Sequence, residues 1–239
     1  MRIYVTSFIN KIIQLGEDLL NFFYPIYCAS CGKRLMKEFE VLCLTCETSI
    51  TKTNYHLHKE NPLEKKFWGR CNIEKATAFY FFEKKGQVQN MLFHLKYKGN
   101  QALGRHLGKL MAQELNNSIF CDANVIVPVP LHPKKQIMRG YNQIHSFCEG
   151  FSESLDIPLN TKNLIRITDN STQTKKNRLE RWTNVEHIFK VKKMNQFQNQ
   201  DIILVDDVVT TGATIEACCE ALQEAGVRKI FLVSIAVAN

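Results

Sequence analysis

The sequence predicts an α/β fold, a mostly parallel sheet flanked by helices, with a small cysteine-bearing module in front of it. Three observations carry this. Apolar, β-branched runs such as "NVIVPVP", "IILVDD" and "KIFLVSIAVA" read as buried strands, and they alternate with segments of helical periodicity. Two CxxC pairs stand close together ahead of the first strand. The chain has 239 residues, 45% of them hydrophobic and 10% aromatic, enough for one α/β domain of ordinary size and a small appendage.

The elements follow in chain order. Residues 1–24 carry Phe8, Ile9, Ile12, Ile13, Leu19, Leu20 and Phe23 at helical spacing, which predicts an amphipathic helix. Lys11, Glu17 and Asp18 interrupt the stretch and no small-residue cleavage site follows, unlike a targeting signal. Its polar face is not basic, unlike that of a membrane-surface helix. Nowhere do 18 apolar residues run uninterrupted, so no transmembrane segment is expected and the chain reads as cytoplasmic. In that reducing setting the nine cysteines are expected to include metal ligands and no disulfides.

A module over residues 25–60 contains "CASCGKRLMKEFEVLCLTC". Cys28, Cys31, Cys43 and Cys46 form two CxxC pairs in which each pair turns both thiolates to one point, and together they complete a tetrahedron. The expected ion is a structural zinc, because four sulfurs close the coordination sphere. Residues 61–75 read as a polar connector. From residue 76 to 239 the pattern is strand, turn at Gly86, a helix broken near Gly99 and resumed to Leu115, then the strand "NVIVPVP". The helix "YNQIHSFCEGFSESL", the strand "NLIRI" and a long polar excursion come next. The strand "IILVDD", a loop, a helix closed by Gly226 and a last strand complete the domain.

The stretch "DIILVDDVVTTGAT" carries the chemistry. Asp206 and Asp207 fall where an apolar strand ends, the position at which open α/β sheets bind ligands. The segment Val208, Val209, Thr210, Thr211, Gly212, Ala213 and Thr214 then runs into a helix. Its backbone N–H groups and hydroxyls can converge on one phosphate, and Gly212 allows close approach. A nucleotide P-loop lysine is missing, as is GxGxxG. Carboxylates beside an anion site make sense together if the ligand is a phosphorylated sugar whose hydroxyls donate to the acids. A net charge of +8 suits anionic partners in general.

This strand, acid pair and Thr/Gly loop resemble the signature of type I phosphoribosyltransferases. With the CxxC module, "LKYKG" at Leu95–Gly99, "VPVPLHPKKQIMRGYNQ" at Val127–Gln143 and "TQTKKNRLERWTNV" at Thr172–Val185, the chain resembles the ComF family of competence-associated proteins. The resemblance implies phosphoribosyl pyrophosphate as ligand, with Mg²⁺, and Asp206 and Asp207 as the catalytic acids. It implies that His132, Lys134, Lys135 and Arg139 meet the pyrophosphate, and that Gln173, Arg178, Arg181 and Asn184 belong to a hood over the site. From Lys162 to Lys193 nine Lys or Arg face three Asp or Glu, a net +6. Where many members look as if they carry a second set of CxxC pairs, "NYHLHKENPLEKKFWGRC" has only Cys71, so one zinc is expected. The family name implies a link to DNA uptake and natural competence. Two other readings stay open: a non-catalytic competence factor that holds single-stranded DNA and works with other competence proteins, with Trp68 and Trp182 as stacking platforms, and a nucleobase salvage transferase.

Overall fold

In a computed structural model of the chain, the described residues are Phe23, 25–36, 40–167 and 188–238. The expected helix over residues 1–24, Phe23 apart, lies outside them, as do Gln173, Arg178, Arg181, Trp182 and Asn184.

The chain divides into two compact units, Met1–Ser49 and Ile50–Asn239. In the first, a knuckle forms around Cys28: the Gly32 N–H donates to the Cys28 carbonyl at 2.9 Å and the Cys28 N–H to Lys33 at 2.8 Å. Gly32 sits at φ +72°, a left-handed turn that a β-carbon disfavours. Tyr27 and Arg34 close the knuckle as an antiparallel bridge, and helix α1 (Leu44–Ser49) begins just after Cys43.

The second unit is built on a four-stranded sheet in which all neighbours run parallel. Its strands are β1 (Lys75–Phe82), β2 (Val125–Pro128), β5 (Asp201–Val209) and β6 (Lys229–Ala238), in the order β1-β6-β5-β2. Burial of all four residues Ile202–Val205 is what a central parallel strand covered on both faces requires. The strand "NLIRI" does not join this sheet. It forms β3 (Leu164–Arg166), antiparallel to β4 (Phe189–Val191), in a separate two-stranded ribbon.

Helices α3 (Gln87–Tyr97), α4 (Gln101–Leu115), α5 (Pro133–Arg139), α6 (Gln143–Leu155) and α7 (Ala213–Glu224) complete the layers. Asn100 caps α4 by accepting from the Leu103 N–H at 3.0 Å, satisfying one of the donors a helix start leaves over. Helices α4 and α6 touch backbone to backbone. A β-carbon on Gly108 would lie 2.1 Å from the Phe147 carbonyl, and one on Gly150 2.2 Å from that of Arg105.

Residues 61–75, polar enough to read as a connector, are tied into this unit. Asn61 accepts from the Leu63 and Glu64 N–H groups, capping the short helix α2 (Pro62–Lys65), and its amide donates to the Ala76 carbonyl at 2.9 Å. Leu63 and Phe67 are buried in the same core as Ile202, Leu204 and Leu232. Two apolar side chains and one buried amide fix the segment, too few to register in its composition.

Candidate functional site

Strand β5 continues through both acids to Val209. On one side its pairing with β2 ends at Pro128 opposite Val205, whereas on the other it stays paired with β6 as far as Val209 opposite Val237. Asp206 and Asp207 therefore sit where one neighbour has stopped and a crevice opens, the position that open α/β sheets use for ligands. Residues alternate in direction along a strand, so the two carboxylates leave opposite faces and meet different surroundings.

Asp207 is nearly buried, with 8% exposure, and is held from two sides. Lys96, in the last turn of α3, reaches both of its oxygens at 3.0 Å. Gln143, the first residue of α6, donates its amide N–H to Oδ2 at 2.5 Å. Gln143 in turn accepts from Arg139 at 2.8 Å, and the Arg139 guanidinium lies 5.1 Å over the Tyr97 ring. The Tyr141 hydroxyl donates to the Leu95 carbonyl at 2.5 Å and accepts from the Gly99 N–H at 3.1 Å. The motifs "LKYKG" and "RGYNQ", far apart in sequence, are thus stitched together around one carboxylate.

Asp206 differs. Burial, and then the negative charge of Asp207, push its carboxyl up to about 7, although the Asp207 N–H at 2.8 Å and Lys96 pull the other way. Asp206 therefore sits on the edge of ionisation near neutral pH, a perturbation typical of working sites.

The segment Val208–Thr214 turns from β5 into α7. Thr210, Thr211, Ala213 and Thr214 are exposed, and Val208 is half-buried. Gly212 has φ +84°, and a β-carbon there would stand 2.8 Å from Cε1 of the buried Phe67, so both conformation and space demand glycine. The loop is braced from behind by the segment 62–71. Lys66 donates to the Thr210 carbonyl at 2.7 Å, and Arg70 donates to the Thr211 carbonyl at 2.8 Å and to Glu216 on α7 at 2.6 Å. Two cations thus take up loop carbonyls, and the Ala213 N–H donates to Thr211 Oγ1 at 3.5 Å, at a helix start where an anion is favoured.

Lys134 and Lys135 are exposed on α5 and have no part in the network around Asp207, while His132 accepts from the Lys134 N–H at 3.2 Å through Nδ1 and caps that helix. Arg139 is the residue of that group which the fold brings to the acids. Lys96 and Gln143 join the site from inside the motifs "LKYKG" and "RGYNQ", whereas Lys66 and Arg70 belong to a segment whose sequence carries no motif.

In the first unit, one sulfur from each of Cys28, Cys31, Cys43 and Cys46 lies within 4.8 Å of the others, the one such metal-ligating cluster among the described residues. Cys31 and Cys43 are 3.8 Å apart, close to the ~3.8 Å separation that a tetrahedral ion with ~2.3 Å bonds to sulfur imposes. Burial raises the Cys28 thiol, yet N–H groups of Cys31, Cys43 and Ser30 outweigh it and bring it down to about 7. Cys46 is pushed up to about 12, first by burial. Four sulfurs in this arrangement could hold a metal such as zinc. Of the remaining thiols, Cys148, Cys218 and Cys219 are buried.

No helix among the described residues is long and apolar enough to cross a membrane. Residues 146–238 match the phosphoribosyl transferase domain family. The chain is 27% identical to competence protein F of Haemophilus influenzae over 223 residues, which is 89% of this chain and 96% of that protein. It is 40% identical to competence protein ComFC of Bacillus subtilis over 102 residues, 43% of this chain and 39% of that one. It is 29% identical to the DNA utilization protein YhgH of Escherichia coli over 204 residues, 83% of this chain and 85% of that one. Among solved structures, the glutamine phosphoribosylpyrophosphate amidotransferase from B. subtilis is similar over 60% of this chain and 30% of its own, at 18% identity and a TM-score of 0.44, a remote likeness.

Proposed function

We propose that the chain is a ComF-type phosphoribosyltransferase-like protein, a reading supported by its likeness to competence proteins F and ComFC and to the phosphoribosyl transferase domain family, and that it binds phosphoribosyl pyrophosphate, with Mg²⁺, at the crevice around Asp206, Asp207 and the loop Val208–Thr214. The observation that carries the reading is the braced loop beside the unequal acids. Lys66 and Arg70 hold the loop by the Thr210 and Thr211 carbonyls, which leaves the Thr210, Thr211 and Thr214 hydroxyls and the helix start to face a 5-phosphate. Asp206, its carboxyl raised to about 7, can accept from or donate to a ribose hydroxyl, while Asp207 orients Lys96 and Gln143.

The donor set fits Mg²⁺ in one way. Both oxygens of Asp207 are taken by protein donors, whereas Asp206 gives one oxygen to the Asp207 N–H and keeps the other. Asp206 is therefore the residue that would hold the hydrated ion, which keeps several waters in such sites. When bound, the ion supplies neutralisation of pyrophosphate charge. In a transfer reaction the acceptor's nitrogen lone pair forms the new bond to ribose C1. The C1–oxygen bond to pyrophosphate breaks with its electron pair leaving on pyrophosphate, and the acceptor's proton goes to solvent. Lys96 and Arg139 are the cations of this crevice that can follow that charge. Zinc at Cys28, Cys31, Cys43 and Cys46 would be structural.

The names of the relatives, competence and DNA utilization proteins, favour a second reading in which this donor site serves DNA uptake and the basic surface holds single-stranded DNA. Trp68 is 58% exposed with the Lys65 ammonium 5.7 Å from its ring, a geometry that suits a base stacked beside a phosphate. Binding of an oligothymidylate that weakens steeply with salt supports this; salt-indifferent or absent binding removes it. The first reading is tested by calorimetric titration of phosphoribosyl pyrophosphate with Mg²⁺, followed by a screen for pyrophosphate release with nucleobases and amines. Absence of binding would sink it.

A further inference from the structure

Five cysteines belong to the second unit, and the site around the acids uses none of them. Cys148 and Cys218 are fully buried, and Cys121 donates its thiol to the Leu115 carbonyl at 3.3 Å. Cys71 and Cys219 differ because their thiols meet: the Cys219 S–H donates to the Cys71 sulfur.

The contact follows from how two elements run past each other. Cys71 ends the segment that braces the loop after β5, and its N–H donates to the Phe67 carbonyl at 3.2 Å. One residue before it, Arg70 grips Glu216 on α7 at 2.6 Å and the Thr211 carbonyl at 2.8 Å. Cys219 stands three residues after Glu216, about one helical turn further on. Arg70 and Cys71 therefore meet α7 in step, the ionic contact first and the thiol contact a turn later. Phe67 is buried in the same core as Cys219, and Cys71 packs against that core. The two sulfurs are thus opposed by an ion pair on one side and apolar packing on the other.

Chemically the pair is unequal. Cys71 is half-buried, and donation from Cys219 holds its thiol below the ordinary range, helped by Arg70 against burial and the charges of Glu216 and Glu220. Cys219 is fully buried, and the same hydrogen bond, followed by burial, keeps its own proton on. Cys71 is the sulfur that solvent reaches and that ionises more readily. Cys219 waits beside it as a protonated second thiol. A low, accessible thiol next to a resolving thiol is the arrangement of sulfur sites that oxidise reversibly.

We propose that Cys71 and Cys219 are a peroxide-sensitive modification site, at which a reversible disulfide clamps the brace segment to α7. In the first step the Cys71 thiolate attacks one peroxide oxygen: an S–O bond forms, the O–O bond breaks, and the departing hydroxide takes up a proton as water. The Cys219 sulfur then bonds to the Cys71 sulfur, the S–O bond breaks, and the Cys219 proton leaves with the hydroxyl as a second water. Two thiols lose two electrons and one peroxide becomes two waters; a dithiol reductant reverses the bond by exchange. The clamp does not depend on which ligand the loop takes.

Peptide mapping by mass spectrometry on the full chain loaded with zinc, after one equivalent of hydrogen peroxide, tests it. A Cys71–Cys219 cross-link is expected, formed before zinc is released and removed by dithiothreitol. The oxidised chain should melt roughly 4–16 °C above the reduced one, since a bond closing a long loop restricts the unfolded chain. Cys71→Ser should abolish the cross-link, Cys218→Ala should retain it, and Cys219→Ala should leave Cys71 as a sulfenic acid that dimedone traps. Oxidation confined to Cys28, Cys31, Cys43 and Cys46, a bond from Cys71 to Cys218, or Cys71 carried to its sulfinic acid with no bond formed would overturn the proposal. An oxidised chain that melts no higher than the reduced one would overturn it too. If Cys219→Ala fails to fold, mapping of the parent chain and of Cys71→Ser, a half-buried position, still decides the matter.

Discussion

Asp206→Asn is expected to stabilise the protein at neutral and alkaline pH and to leave it unchanged in acid. Burial and the Asp207 charge raise the Asp206 carboxyl from 3.8 to about 7. The folded chain therefore holds a proton that the unfolded chain has released, so its stability falls as pH rises from about 4 to about 7 and is level above that. At about 1.36 kcal/mol per pH unit, the full cost of ionising Asp206 in place approaches ~4 kcal/mol. Asparagine removes the charge and keeps the acceptor for the Asp207 N–H, now 2.8 Å from Asp206 Oδ1. Relaxation and coupling to Asp207 reduce the gain to about half of that, and at 2–4 °C per kcal/mol a chain of this size should melt roughly 4–8 °C higher. Thermal melts of both proteins from pH 4 to pH 9, without ligand, read this directly. The two curves should converge near pH 4 and separate through pH 7. Parallel curves, or a variant less stable at pH 8 than at pH 4 relative to the parent, would refute the assignment of Asp206 as the strained acid.

Gly212→Ala should cost about tenfold or more in affinity for phosphoribosyl pyrophosphate by calorimetry, since the new methyl meets Phe67 at 2.8 Å with φ +84° and strain of ~1–2 kcal/mol shifts the loop; unchanged affinity would show that the loop is not the phosphate site. Arg70→Ala removes the bonds to the Thr211 carbonyl and Glu216 and should weaken the same ligand about 3–10-fold with little change in melting, because a half-exposed ion pair adds only ~0–1 kcal/mol to stability. Metal analysis should give one zinc per chain, and Cys31→Ser should lose it with loss of protection from proteolysis in residues 25–49; two zinc ions per chain would require ligands beyond Cys28, Cys31, Cys43 and Cys46.

What could be read in the sequence depended on how local each signal is. The acid pair and Gly212 stand on one continuous strand-loop-helix segment, and the CxxC pairs carry their geometry in their spacing. The apolar runs β2, β5 and β6 are legible because a strand buried on both faces has no polar alternation. By contrast, Lys96 and Gln143 come from two helices and meet only at Asp207, so each motif alone reads as a helix end. Lys66 and Arg70 act on backbone carbonyls, which leave no trace in side-chain identity, and the polar segment around them therefore passed for a connector. The run "NLIRI" was recognisable as a strand, but three residues on an antiparallel ribbon carry nothing to separate them from an edge of the main sheet. The thiol pair has the same origin as the Asp207 network: Cys71 ends that polar segment and Cys219 lies on α7, so only the packing of the two elements makes them a pair.

The central claim is that Asp206, Asp207 and the braced loop form a site for a pyrophosphorylated ribose. Calorimetric titration of phosphoribosyl pyrophosphate in Mg²⁺ into the wild type and the Asp206→Asn, Asp207→Asn double variant addresses it most directly. The wild type should bind, and the double variant should bind about 10–100-fold more weakly, since hydrogen bonds to charged groups contribute ~1.5–3 kcal/mol. No binding by the wild type, or equal binding by the two proteins, would contradict the account.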